Sequence, residues 1–178
     1  SGATEDIRNR FIAETKTLRA FYMYTLLDWY GPVNVKLDPA TLMDNTINPR
    51  PSLPEYVGYI EKDLEDAIAT SSFPDKYHGD ETNWGRMSKS IAYAIRMKLY
   101  MHQKNWTKVK EDASQLMGMG FSIIGNYEDV FNKSQTTEHI WSVPSNLASD
   151  NYYVTEILPS DFKRGYNHAG ISYIRGNE

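Results

Sequence analysis

Four segments of the chain carry apolar residues at helical spacing, and they are arranged as two helix–loop–helix pairs. The segments cover about residues 4–30, 52–69, 88–103 and 105–118. Each pair has an apolar face that only another pair can bury, which predicts an all-α helical solenoid. A solenoid usually needs roughly three repeats or more for stability, so the pattern also predicts partner repeats outside this sequence.

Local signals at the ends of the first two segments support this interpretation. Thr4 is placed to cap the first helix, and Gly31 with Pro32 ends it. Ser52 and Glu55 have the spacing of a capping box at the start of the second helix. These signals fix the loop between the first pair of helices to about residues 31–51.

Composition and charge exclude several classes of protein. The 178 residues include no cysteine, which excludes disulfides, thiolate metal sites, iron–sulfur clusters and a cysteine nucleophile. Lys and Arg number 19 against 23 Asp and Glu, and no basic tract exceeds two residues, so we predict no contact with nucleic acid. No run approaches the roughly 18 apolar residues of a transmembrane helix.

The sequence contains no catalytic or metal-binding motif. The four histidines do not fall at a metal-ligand spacing, and the glycine motifs of phosphate cradles and the serine-hydrolase elbow are absent. The acidic run at residues 61–66 is interleaved with Lys62 and is interpreted as the solvated face of an amphipathic helix. We therefore predict no catalytic residue, no metal and no cofactor, and a hydrolase has no supporting constellation.

Two charged residues are predicted to be buried. Asp63 lies beside the apolar stripe of the second helix, and Arg86 immediately precedes the third. Charges in such positions are tolerated only when they are paired and hydrogen-bonded. We expect both side chains to be substantially buried with polar partners.

The aromatic residues divide by context. Five stand at periodic or alternating positions and are predicted to be core residues: Phe11, Trp29, Trp106, Phe131 and Trp141. Others lie in polar loops, where an open ring beside amides and carboxylates suits stacking on a sugar. The residues predicted to form a glycan site are Tyr77, Asp80, Asn83, Trp84, Asn151, Tyr152 and Tyr153. The alternative is that these rings only pin the loops to the core.

Two short segments and the C-terminal part of the chain do not follow the helical pattern. Residues 33–37 and 139–143 alternate like short extended segments, which predicts minor β structure in an otherwise helical protein with long irregular loops. Beyond residue 143 the sequence is rich in Ser, Asn, Asp and Tyr without a clear period. We therefore divide the chain into a helical repeat region, residues 1–143, and an irregular segment, residues 144–178.

Several motifs in order resemble the SusD/RagB family. The matching segments are AETKTLRAFY at 13–22, WYGPV at 29–33, RPS at 50–52 with the helix to 67, GRMSKSIA at 85–92, NW at 105–106 and EHIW at 138–141. Each motif alone is weak, but together, in register, they are specific. Asn34 stands where the family often has proline.

The resemblance implies a scaffold of tetratricopeptide-like helix pairs and a non-catalytic role. Family members are lipoproteins on the surface of the bacterial outer membrane, where they capture oligosaccharides and pair with a SusC-like, TonB-dependent transporter barrel. Their chains are much longer, so the lipid anchor, which would be the membrane contact, and most of the C-terminal half are expected to lie outside this sequence. The alternative is a helical-repeat adaptor that docks the transporter without itself binding sugar.

Overall fold

The computed structural model describes residues 2–45 and 49–143. These residues form four main helices: α1 Glu5–Tyr30, α2 Leu53–Ala69, α3 Lys89–His102 and α4 Trp106–Gly118. A 3-10 turn, Pro39–Thr41, lies in the first loop, and a single-turn helix, α5 Asp129–Asn132, follows α4. The prediction of helices joined by long irregular loops is confirmed. The minor β structure expected at 33–37 and 139–143 is wrong, because the described residues contain no strand.

The predicted helix boundaries are confirmed by their hydrogen bonds. The Thr4 hydroxyl accepts from the Ile7 N–H at 3.4 Å, and Gly31 ends α1 with a φ of +72°. At the start of α2, the Ser52 hydroxyl accepts from the Glu55 N–H, and the Glu55 carboxylate accepts from the Ser52 N–H. Each cap satisfies backbone groups that the helix itself leaves unpaired.

The helices pack as the two predicted pairs. α1 contacts α2, α3 contacts α4, and the two pairs meet through α2 and α3, with α1 also touching α3. A shared apolar core runs between them and extends under the loop that joins α2 to α3. Its buried members are Ala13, Ala20, Met23, Leu27, Tyr56, Val57, Ile60, Leu64, Ala67, Phe73, Met87, Ile91, Ala92, Ile95 and Leu99.

The buried face of α1 is not the one that its largest apolar residues predict. Ala13, Thr17 and Ala20 face the core, together with Met23 and Leu27. Small residues allow two helix backbones to approach closely, and the Thr17 hydroxyl is satisfied by donating to the Ala13 carbonyl at 2.9 Å. The large residues therefore lie on the other sides of the helix.

Four of the five aromatic residues predicted as core are exposed. Trp29 is 73% exposed and Trp106 is 62% exposed, and Phe11 and Phe131 are also open to solvent. Their helical spacing was real, but the partner elements approach α1 and α4 from other directions. Trp141 is half-buried and packs against the core.

Both predicted buried charges have partners on α1. Asp63 is 5% exposed and accepts from Nε and Nη2 of Arg19, each at 2.6 Å. Arg86 is half-buried and donates to both carboxylate oxygens of Glu14, at 2.9 and 2.7 Å. The prediction of paired charges is confirmed, and Asp63 is the exception to the solvated face expected for residues 61–66.

Candidate functional site

The loop between α2 and α3, residues 70–88, carries the four predicted site residues that the structure describes. They are Tyr77, Asp80, Asn83 and Trp84. The other three, Asn151, Tyr152 and Tyr153, lie outside the described residues. We call residues 77–84 the Trp84 loop.

Tyr77 does not present an open ring. Its side chain belongs to the buried set, at 9% exposure, and its hydroxyl donates to Glu14 Oε1 at 3.4 Å. Burial, followed by the charge of Glu14, raises the pKa of Tyr77. The expectation of an exposed stacking platform is therefore wrong for Tyr77, because its ring anchors the loop to α1.

Asp80 and Asn83 form the turn that positions Trp84. The Asp80 carboxylate accepts from the Asn83 side-chain amide at 2.7 Å and from the Asn83 backbone N–H at 3.2 Å. The Asp80 carbonyl accepts from the Trp84 N–H at 2.9 Å. The side-chain hydrogen bond from Asn83 lowers the pKa of Asp80, so this carboxylate is ionised and accepts hydrogen bonds at neutral pH.

Trp84 is half-buried. Its environment is therefore intermediate between an open stacking ring and a ring that only pins the loop to the core. Its indole packs edge-on against His78, with ring centroids 4.9 Å apart and planes at 77°. His78 in turn contacts Phe121, at 5.1 Å and 80°. One part of the indole is thus fixed by the loop, and the remainder is open to solvent.

The Trp84 loop is held at both sides by contacts from other parts of the chain. The Gly79 N–H donates to Gln135 Oε1 at 2.8 Å, and His78 Nε2 lies 3.1 Å from the Thr136 carbonyl. After the loop, the Trp141 indole N–H donates to the Gly85 carbonyl at 2.9 Å. A loop fixed in this way loses little conformational freedom when a ligand binds.

Glu14 is the residue of this arrangement that the sequence analysis missed. It accepts from Arg86 and Tyr77, and Arg10 lies 3.7 Å away one turn earlier on α1. The available signal was its position beside Ala13 on the buried face of α1, where an acidic residue requires a basic partner.

The described residues contain neither a cluster of metal-binding side chains nor a helix able to span a membrane. Within residues 2–45 and 49–143, no group of three or more His, Asp or Glu side chains is arranged to hold a metal ion. In the same part of the chain, no helix combines the length and apolarity that crossing a membrane requires.

Comparison with known proteins finds SusD and SusD-like proteins among the relatives of this chain. No family model matches the sequence. Among curated proteins, the chain is 25% identical to the starch-binding protein SusD of Bacteroides thetaiotaomicron, over 96% of this chain and 28% of that protein. It is 26% identical to the SusD-like protein P25 of Formosa agariphila, over 79% of this chain and 26% of that protein.

Solved structures give the same result. A SusD-like protein of Bacteroides fragilis superposes with a TM-score of 0.69 at 26% identity, covering 80% of this chain and 28% of that one. A laminarin-binding SusD-like protein gives a TM-score of 0.62 at 26% identity, covering 74% and 29%. The surface glycan-binding protein A of Bacteroides uniformis gives 0.68 at 20% identity, covering 78% and 32%, which supports the fold alone.

These matches confirm the resemblance seen in the sequence motifs: the chain is similar to SusD and to SusD-like proteins. It spans about a quarter of the length of the curated relatives that it matches. The tetratricopeptide-like helix pairs implied by the resemblance are the α1–α2 and α3–α4 pairs of the structure.

Proposed function

We propose that this chain is part of a non-catalytic protein that binds oligosaccharides at the bacterial cell surface and delivers them to a TonB-dependent transporter. The observation that carries the proposal is the 25% identity to a starch-binding protein along 96% of this chain. Attachment to the outer membrane as a lipoprotein and pairing with a SusC-like barrel belong to the same proposal and rest on the family resemblance.

The Trp84 loop is the sugar-binding element that we propose within the described residues. It offers a half-exposed indole, with the ionised Asp80 carboxylate and the Asn83 amide beside it. An aromatic face stacks on the CH face of a sugar ring, and adjacent polar groups bind its hydroxyls. Asn151, Tyr152 and Tyr153 remain predicted members of the site.

Binding rather than hydrolysis is supported by the state of the buried carboxylates. A glycosidase requires two carboxyl groups that face each other across a cleft. Asp63 accepts two hydrogen bonds from Arg19, and Asp112 accepts two from Arg96, at 3.0 and 2.6 Å. Both carboxylates are thus engaged in bidentate pairs that join helices.

Replacing Trp84 tests the proposal. In the full-length protein, we expect Trp84→Ala to weaken binding of maltoheptaose or laminarihexaose about 5- to 150-fold, because one stacking platform is worth roughly 1–3 kcal/mol. Trp84→Phe keeps a ring and should retain most of the affinity. Calorimetric titration measures both, and circular dichroism should show unchanged helicity.

Trp106→Ala is the matched control, since Trp106 is an exposed tryptophan on α4, away from the Trp84 loop. Its affinity for sugar should equal that of the wild type. If the wild type binds no oligosaccharide, the proposed function is wrong. If the wild type and Trp84→Ala bind oligosaccharide equally well, the site lies elsewhere. If Trp84→Ala also pairs with the transporter and supports undiminished uptake, the adaptor alternative is favoured.

A further inference from the structure

A concave site separate from the Trp84 loop lies between α1, α3 and the segment 138–141. It is a groove of about 470 Å³, a size within the usual range of ligand pockets. Phe21 and Trp29 line it from α1, Lys98 lines it from α3, and Trp141 closes one side. We call it the α1–α3 groove.

The aromatic wall of the α1–α3 groove is held rigidly. Phe21 and Trp141 pack edge to face, with centroids 5.0 Å apart and planes at 84°. Trp141 also donates its indole N–H to the Gly85 carbonyl. Trp29, by contrast, leaves about three quarters of its surface in solvent, near the end of the 26-residue helix α1. A large exposed ring at the edge of a built groove is typical of a binding surface.

The polar groups of the segment 138–141 are already engaged. Glu138 Oε2 accepts from the Ile124 N–H at 3.1 Å. His139 Nε2 lies 2.8 Å from the Val130 carbonyl, and its Nδ1 lies 3.0 Å from the Thr136 hydroxyl. These bonds make the segment part of the frame of the groove and leave the recognition of a ligand to the helices.

The groups available for a ligand are Asp28 on α1 and Lys98 on α3. Both are exposed, both line the groove, and no described residue pairs with either by a hydrogen bond or a salt bridge. Asp28 and Lys98 are therefore both available to hydrogen-bond a ligand in the groove.

Tyr24 adds a third polar group to the groove. Its burial, together with the nearby Asp28 charge, raises the pKa of Tyr24. The phenol therefore remains protonated at neutral pH and is able to donate a hydrogen bond.

Together these groups define the chemistry of the ligand. A carboxylate only accepts hydrogen bonds and an ammonium group only donates them, whereas a sugar hydroxyl does both. Asp28 and Lys98 carry opposite charges, and Glu138, the other acidic residue of the lining, already accepts from the Ile124 N–H. The groove therefore has no excess of positive charge to select an anionic ligand. The open Trp29 ring supplies the flat apolar face that a pyranose CH face requires.

We propose that the α1–α3 groove binds a neutral oligosaccharide segment through Trp29, Asp28 and Lys98, as a subsite separate from the Trp84 loop. This inference rests on the proposed function. The Trp141–Gly85 hydrogen bond ties the wall of the groove to the residue that follows Trp84. The two subsites therefore share one rigid support.

The test uses the full-length protein, with maltoheptaose and laminarihexaose as probes in calorimetric titrations. Trp29→Ala should weaken binding about 5- to 150-fold, the effect of losing one stacked ring. Asp28→Ala and Lys98→Met should each weaken it about 13- to 160-fold, the range for loss of one hydrogen bond to a charged group. Trp106→Ala is again the control, because it removes an equally exposed indole that does not line the groove.

Since Trp29 is exposed, its replacement should leave the melting temperature unchanged, which separates loss of a contact from loss of the fold. Oxidation of Trp29 by N-bromosuccinimide gives an independent measure, and bound oligosaccharide should protect it. The inference is overturned if the wild type binds a probe and Trp84→Ala weakens that binding while the three groove variants do not. It is also overturned if Trp29 is inaccessible to the reagent in the full-length protein. A wild type that binds neither probe overturns the proposed function and this inference with it.

Discussion

The Asp63 carboxylate joins α2 to α1 by pairing with one residue, Arg19. The carboxylate lies in the interface of α2 with α1, and both of its oxygens accept from Arg19. Arg19 also donates to the Leu37 carbonyl at 3.4 Å, so the same guanidinium holds the first loop. A bidentate pair of this kind fixes both the distance and the angle between two helices.

Replacement of Asp63 should therefore be costly. In Asp63→Asn, the guanidinium of Arg19 loses its charged partner, and breaking a buried pair costs about 3–5 kcal/mol. The Arg19 side chain is 38% exposed, so water compensates part of the loss, and we expect the free energy of unfolding to fall by about 1–3 kcal/mol. Urea denaturation measures this change.

Asp66→Asn provides the comparison for Asp63→Asn, because Asp66 lies one turn later and is itself paired with Lys16 and Lys62. Its side chain is 36% exposed, against 7% for Asp63, so solvent screens the pair more and the change should be no more than about 1 kcal/mol. Equal losses in the two variants would contradict the role assigned to the Arg19–Asp63 pair.

At the scale of elements, the helix ends could be predicted from the sequence and the helix faces only in part. Thr4, Gly31 and Ser52 act through neighbours within four residues, so a local pattern is sufficient to identify them. The buried face of α1 depends on α2, whose approach favours Ala13 and Ala20 over larger side chains. That preference is tertiary and cannot be read from periodicity alone.

The candidate site shows the same division. The residue types of the Trp84 loop predicted a sugar-binding element, but the burial of Tyr77 is decided by Glu14, which is 63 residues away in the sequence. The α1–α3 groove was missed because Trp29 has a helical spacing typical of core residues. Only the packing of α1 against α3 shows that this ring lies at the rim of a cavity.

Substitutions at two glycines test how stability depends on backbone conformation at the end of α1 and inside α2. Gly31 has φ +72° and ψ −166°, a backbone region that is almost restricted to glycine. No atom lies within 4 Å of a Cβ added there, so Gly31→Ala measures backbone strain alone. We expect a loss of about 1–3 kcal/mol in the free energy of unfolding, measured by urea denaturation.

Gly58 is the matched control for Gly31, since it lies inside α2 and a Cβ added to it also meets nothing within 4 Å. Alanine is the better helix former, so Gly58→Ala should stabilise the protein by about 0.5–1 kcal/mol. Effects of the same sign in the two variants would show that the cap of α1 does not depend on the conformation of Gly31.

At the scale of the whole molecule, one cluster of polar groups between the two helix pairs contributes to the pH dependence of stability. Glu61 of α2 accepts from Lys108 of α4 at 2.9 Å, and Tyr100 of α3 lies 3.4 Å from the same Lys108 amine. Burial and the neighbouring Glu61 raise the pKa of Tyr100 to about 12. This cluster joins three helices, so its titration affects the packing of one pair on the other.

The last prediction is a loss of stability at alkaline pH through Tyr100. The unfolded protein releases this phenolic proton near pH 10. The folded protein holds it until about pH 12. Below pH 10 both states are protonated and the group contributes no pH dependence. Between pH 10 and 12 only the unfolded state is stabilised by ionisation, so stability falls by up to about 2.7 kcal/mol.

Tyr100→Phe removes this contribution to the pH dependence, and urea midpoints measured from pH 8 to 11.5 should therefore decline less steeply than those of the wild type. Tyr127→Phe, which removes an exposed phenol, should follow the wild-type curve. Identical slopes for the wild type and Tyr100→Phe would show that the cluster does not bind its proton more tightly when the protein folds.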